Sequence, residues 1–156
     1  MVLNYGREKE MIINEEKGFT LVELLIGVMI IAVLAVASAP HFSNLMRGFR
    51  LNGAVRIVWA DMQKARLTAI KEGGTIRVDF TNTSYEIIRV MPTPEVILRR
   101  NLSVDYPGVT VNISNNTVSF GSSGTAGGGG KTVEVENTVG TKVFTILTTG
   151  RIGNIS

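Results

Sequence analysis

From Phe19 to Ala39 the chain runs through 21 residues that carry one charge, Glu23. About 20 apolar residues wound as a helix cross the hydrocarbon core of a bilayer, so this segment predicts a transmembrane helix. Beyond Pro40 polar residues enter while the helical period persists. Phe42, Leu45, Met46 and Phe49 fall at i, i+3, i+4 and i+7, and Val55, Val58, Met62, Ala65 and Ala69 resume the pattern. Arg47, Arg50, Arg56, Lys64, Arg66 and Lys71 lie mostly off it. The reading is an amphipathic continuation of the helix over 40–74, closed by Gly73-Gly74 with a left-handed glycine cap. Pro40 removes the backbone hydrogen bond to Val36 and predicts a kink. Gly48 and Gly53 add softer points.

After Gly74 the period becomes two. Ile76, Val78 and Phe80 alternate with Arg77 and Asp79, and Thr81-Asn82-Thr83-Ser84 turns the chain into a second strand, Tyr85–Val90. Further strands are expected at Glu95–Arg99, Val109–Ile113, Thr117–Phe120, Thr132–Glu136 and Lys142–Leu147, with breaks at Pro92, Pro94 and Pro107. Gly121 to Gly130 contains six glycines and reads as a mobile hairpin tip. The predicted fold class is α+β: a long N-terminal helix, membrane-spanning in its first half, packed on a small, mainly antiparallel β head over 75–156.

Composition narrows the chemistry. The chain has no Cys and one His among 156 residues, which excludes disulfides, thiol nucleophiles and zinc sites built on thiolates or paired histidines. No cofactor or metal site is expected, and no pair of carboxylates is placed for acid–base work, so the chain reads as a non-enzyme. Net charge is −1 over residues 1–18 and +4 over the remainder, scattered rather than blocked. A carboxylate deep in an apolar helix costs roughly 2.5–3.5 kcal/mol on insertion scales, so Glu23 needs a partner or the interface. Residues 19–39 contain no cation to serve it.

The junction Lys17-Gly18-Phe19-Thr20-Leu21-Val22-Glu23 resembles the type IV pilin and type II secretion pseudopilin superfamily. Its prepilins carry a polar leader ending in Gly, then a Phe, an apolar helix and a Glu at the fifth mature position. The runs Phe120-Gly-Ser-Ser-Gly-Thr-Ala, Thr132-Val-Glu-Val and Thr149-Gly150-Arg151-Ile152 resemble its GspH/FimT group of minor pilins and pseudopilins. The resemblance implies a leader over 1–18, removed by prepilin peptidase between Gly18 and Phe19, and N-methylation of Phe19. An 18-residue leader is long for the family, and translation from Met11 would shorten it. The resemblance further implies a span over 19–39, a helix proline at Pro40, and pairing of Glu23 with the amino terminus of a neighbouring subunit. The partners it implies are other pilins, an inner-membrane assembly platform and membrane lipid, with the leader cytoplasmic and the head periplasmic.

Other readings compete. Residues 1–39 also fit a plain signal anchor holding a binding domain that never polymerises, or a cleaved secretory signal ending at Ala37-Ser38-Ala39. Some minor pilins of this group take up DNA, and Arg99, Arg100 and Arg151 would form a basic patch if folding gathered them. Gly130-Lys131-Thr132 imitates a phosphate loop, but Thr125 stands where a Gly is required and a strand follows instead of a helix. His41 reads as interfacial, and Trp59 as core or subunit contact. The Asn-x-Ser/Thr tripeptides at Asn82, Asn101, Asn112, Asn115 and Asn154 read as turn and strand composition.

Overall fold

A computed structural model describes residues 18–156. The leader up to Lys17 and the alternative start at Met11 lie outside the described residues. Helix α1 (Leu21–Glu72) is followed by β1 (Ile76–Phe80), β2 (Ser84–Arg89), β3 (Glu95–Asn101), the one-turn α2 (Leu102–Asp105), β4 (Thr110–Ile113), β5 (Thr117–Phe120), β6 (Ala126–Gly127), β7 (Lys131–Asn137) and β8 (Gly140–Ile146). Contacts divide the chain between Ala39 and Pro40 into two units. In the first, every residue of α1 from Leu21 to Ser38 is exposed except Gly27, which is half-buried.

The second unit holds the core. One face of α1 (Leu51, Ala54, Val55, Val58, Met62, Ala65 and Ala69) joins Ile76, Val78, Tyr85, Phe120, Val133, Val135, Phe144 and Ile146 of the strands in a single cluster. A fully buried aliphatic side chain contributes about 1.5–3 kcal/mol, so this stripe is what fixes the helix to the head. The helix stops where a backbone can turn left-handed. Gly73 has φ +63, its N–H reaches Ile70 O at 3.4 Å, and the Gly74 N–H reaches Ala69 O at 3.2 Å. This paired closure is the glycine cap expected from the sequence.

The strands form two antiparallel sheets, ordered β3-β2-β1-β5-β6 and β4-β7-β8. All seven expected strands are present, with ends moved by a residue or two. The C-terminal tail runs antiparallel along the outer edge of β8. Ile152 bridges Ile146, the Gly153 N–H donates to Thr145 O at 2.7 Å, and Ser156 and Val143 exchange backbone bonds at 2.9 and 3.1 Å.

Three expectations are corrected. Residues 42–49 do not share a stripe with 55–69. At 100° per residue Phe42, Leu45, Met46 and Phe49 lie on the side of α1 opposite Leu51, Val55 and Val58, and Phe42, Leu45 and Phe49 are exposed. The six-residue step from Phe49 to Val55 breaks the phase. Gly53 is a packing site rather than a soft point: a Cβ there would stand 2.7 Å from Tyr106 Cε1. The glycine run is not a free tip. Residues 121–125 turn between β5 and β6, where Phe120 faces Ala126 and Ser119 faces Gly127, and the turn is held against α1.

Candidate functional site

The amino-terminal end of α1 is built by Thr20. The Glu23 N–H donates to Thr20 Oγ1 at 3.2 Å, and that hydroxyl donates back toward Glu23 Oε2 at 3.5 Å. Leu24 N–H closes the first turn on Thr20 O at 3.2 Å. A Thr three residues before a Glu is a capping pair, and a carboxylate in the first turn also favours the positive end of the helix dipole. Phe19 is 80% exposed; Gly18 is exposed ahead of it and Pro40 lies within α1. The helix therefore offers an apolar surface with a carboxylate near its start and no cation beside it among the described residues. The capping role of Thr20 was missed in the sequence, although its spacing to Glu23 was the signal.

Further along, α1 is bolted to the head by a buried carboxylate. Asp61, 6% exposed, accepts a 2.5 Å hydrogen bond from the Tyr85 hydroxyl of β2. It also accepts bonds from Arg100 Nε and Nη2 of β3 at 3.2 and 3.1 Å. Burial, then the Asp61 bond and charge, hold the Tyr85 phenol far above its usual range. Asp61 sits three residues past buried Val58, and a carboxylate on the core side of a helix was the overlooked sign of this site. Glu72, the last residue of α1, forms a two-point pair with Arg89 of β2, at 2.7 and 2.8 Å. The Arg89 hydrogen bond leads in holding the Glu72 carboxyl below its ordinary value.

The C-terminal pattern gathers around one more helix residue. Arg66 Nε donates to Gly124 O at 2.9 Å. Gly124 and Gly150 both have φ +76, and a Cβ on Gly150 would fall 1.7 Å from Gly124 O. Both glycines are needed because two left-handed turns pass each other there in backbone contact. Trp59 Nε1 donates to Gly153 O at 2.8 Å, so the indole clamps the tail, in keeping with a core role.

The three arginines of the suggested DNA patch are not gathered. Adjacent strand positions face opposite ways: Arg99 pairs with Glu86 at 2.6 Å on the exposed side, and Arg100 turns inward to Asp61. Arg151 belongs to the tail beside β8, in the other sheet. His41 is exposed, and the described residues contain no cluster of His, Asp and Glu suited to a metal ion.

Residues 13–39 match the prokaryotic N-terminal methylation motif. Crystal structures of the type IV minor pilin FimU of Pseudomonas aeruginosa are similar in fold at a TM-score of 0.56 and 18% identity; one crystal form aligns over 65% of this chain and 85% of FimU. The minor pseudopilin EpsH from the type 2 secretion system of Vibrio cholerae is similar at a TM-score of 0.56 and 10% identity, over 69% of this chain and 96% of EpsH. No curated protein sequence matches. Residues 54–150, more than half of the chain, match the type II transport protein GspH, and they contain the whole Asp61–Tyr85–Arg100 bolt and the Arg66–Gly124–Gly150 contact. The chain belongs to the GspH family of minor pilins and pseudopilins.

Proposed function

We propose that the chain is a structural subunit, not a catalyst, of a type IV pilus or type II secretion pseudopilus. It is made as a prepilin, cut between Gly18 and Phe19 by prepilin peptidase, and methylated on Phe19. Residues 19–39 then hold it in the inner membrane with the head on the periplasmic side. Assembly with other pilins runs through α1 at the platform, where Glu23 pairs with the amino terminus of a neighbour and Pro40 loosens the helix.

The observation that carries this reading is the exposed apolar surface from Leu21 to Ser38, with the Thr20–Glu23 pair at its start. Helices of this kind cohere through packing with other helices in lipid. Cleavage converts the Phe19 nitrogen from a neutral amide into an ammonium, and methylation keeps that charge, so processing supplies the cation that Glu23 needs. The test is intact mass after co-expression with a prepilin peptidase. The expected product begins at methylated Phe19, and Gly18→Leu keeps its leader; a Gly18→Leu chain that matures normally would refute the assignment.

A further inference from the structure

One side of the C-terminal tail is left unused. Arg151 O accepts from the Leu147 N–H, and the Gly153 N–H donates to Thr145 O. By the alternation of antiparallel pairing, the Asn154 N–H and C=O therefore point away from β8. Asn154 is exposed, and neither its backbone groups nor its side chain has a hydrogen bond among the described residues. Beside this edge a groove of about 450 Å³ runs between the tail and α1, lined by Arg56, Trp59, Ala60, Asn154 and Ile155. Its walls are apolar: Trp59 and Ile155 are half-buried against the core, and Ala60 adds only a methyl. The indole is fixed in place by its bond to Gly153 O. No carboxylate lines the groove among the described residues. Arg56 is exposed and has no ion pair among them. The residues one helical turn from it, Asn52, Gly53, Trp59 and Ala60, include no acid.

We propose that this edge and groove bind an extended segment of a partner protein, which adds as a strand to the tail, sets an apolar side chain in the groove and brings a carboxylate to Arg56. An unpaired strand edge is a template for another backbone. That singles out a peptide over other apolar acids, because a peptide returns N–H and C=O groups to those of Asn154. Side chains two apart on a strand share a face. The fitting pattern is therefore an apolar residue with an Asp or Glu two positions away. A second copy using the same surface is a poor match, since two-fold pairing of tail on tail would bring Arg56 toward Arg56. The inference stands on the head alone and holds whether or not the chain is processed at Gly18.

Trp59 lines the groove and is the only tryptophan, so its emission reports occupancy. The probe is an end-blocked pentapeptide, Thr-Phe-Thr-Asp-Thr, titrated into the detergent-solubilised full chain. Three siblings accompany it: one with Lys for the Asp, one with Ser for the Phe, and one methylated on its backbone nitrogens. The parent peptide should shift Trp59 emission saturably, about threefold more weakly in Arg56→Gln. The Lys sibling should bind more weakly still, and the Ser and N-methylated siblings should give no shift. Ala60→Leu fills the groove from an exposed helix position, and should abolish the response while leaving the melt of the head unchanged. An equal response to the N-methylated or the Lys sibling, as partition into the micelle would give, overturns the proposal. So does the absence of a saturable response to the parent peptide. Emission that follows protein concentration without any peptide overturns it too, and assigns the surface to a second copy. The intact mass of the chain co-expressed with prepilin peptidase tests the subunit reading separately.

Discussion

Arg99 and Arg100 are neighbours on one strand, and the structure gives them opposite consequences. Arg100→Ala leaves Asp61 buried with the Tyr85 hydroxyl as its one remaining partner among those described. Breaking a buried ion pair from one side costs about 3–5 kcal/mol; the Arg100 side chain is 26% exposed, which brings the expectation to about 2–3 kcal/mol. Arg99→Ala removes a pair whose arginine is 69% exposed and should cost no more than about 1 kcal/mol. For a head of this size, 1 kcal/mol moves Tm by about 4 °C, so Arg100→Ala should melt about 8–12 °C early and Arg99→Ala within about 4 °C of the parent. Trp59 is the only tryptophan and reports the melt from its bond to Gly153, in detergent-solubilised full chain. Replacing the three groups together, Asp61→Leu, Arg100→Met and Tyr85→Phe, should recover much of the loss, because neither a charge nor the buried Tyr85 hydroxyl is left without a partner. Equal losses for the two single variants, or an Arg100→Ala melt like the parent's, would refute the account. A gel shift completes the comparison: salt-sensitive DNA binding abolished by Arg99→Ala alone would revive the DNA reading.

Three more outcomes are expected. Gly150→Ala, which meets Gly124 O and a left-handed φ, should cost about 3 kcal/mol or more or prevent folding; a parental melt would contradict the contact. The Tyr85 phenol is raised in the folded head, so its contribution is complete below the unfolded value near 10 and is lost as pH rises beyond it. Alkaline absorbance titration should show Tyr85 ionising only as the head unfolds, and early ionisation before the melt would count against the buried bond. Glu23→Gln should be processed normally and stay in the membrane yet crosslink poorly to neighbouring pilins, with Glu23→Asp intermediate; parental crosslinking by Glu23→Gln would sink the pairing.

The strands were legible wherever alternation was strong, as in Ile76-Arg-Val-Asp-Phe80 and Thr132-Val-Glu-Val-Glu136. Their division between two sheets was not, because alternation states which face is buried but not which strand lies alongside. β6 escaped notice because two residues, Ala126 and Gly127, have no period. α2 escaped because one turn capped by Asn101, whose side chain accepts from the Ser103 N–H, looks like any Asn-Ser turn. At the N-terminus Gly18, Phe19 and Glu23 were readable as a local motif. Whether folding gathers Arg99, Arg100 and Arg151 was not legible, because neighbours along a strand face opposite ways. The helix stripe was misread because both halves keep the right spacing while facing opposite ways.

The bonds that hold α1 to the head also impose an order in time. Arg47 meets Asn137, Trp59 meets Gly153 and Arg66 meets Gly124, partners 90, 94 and 58 residues apart. A chain is made from its N-terminus, and contacts of such separation form slowly. The stripe from Leu51 to Ala69 therefore emerges first and waits, uncovered, for strands that close over it only when the last residues arrive. During that interval the growing chain carries an uncovered apolar helix face, and delivery of its last strands and tail is the event that closes it.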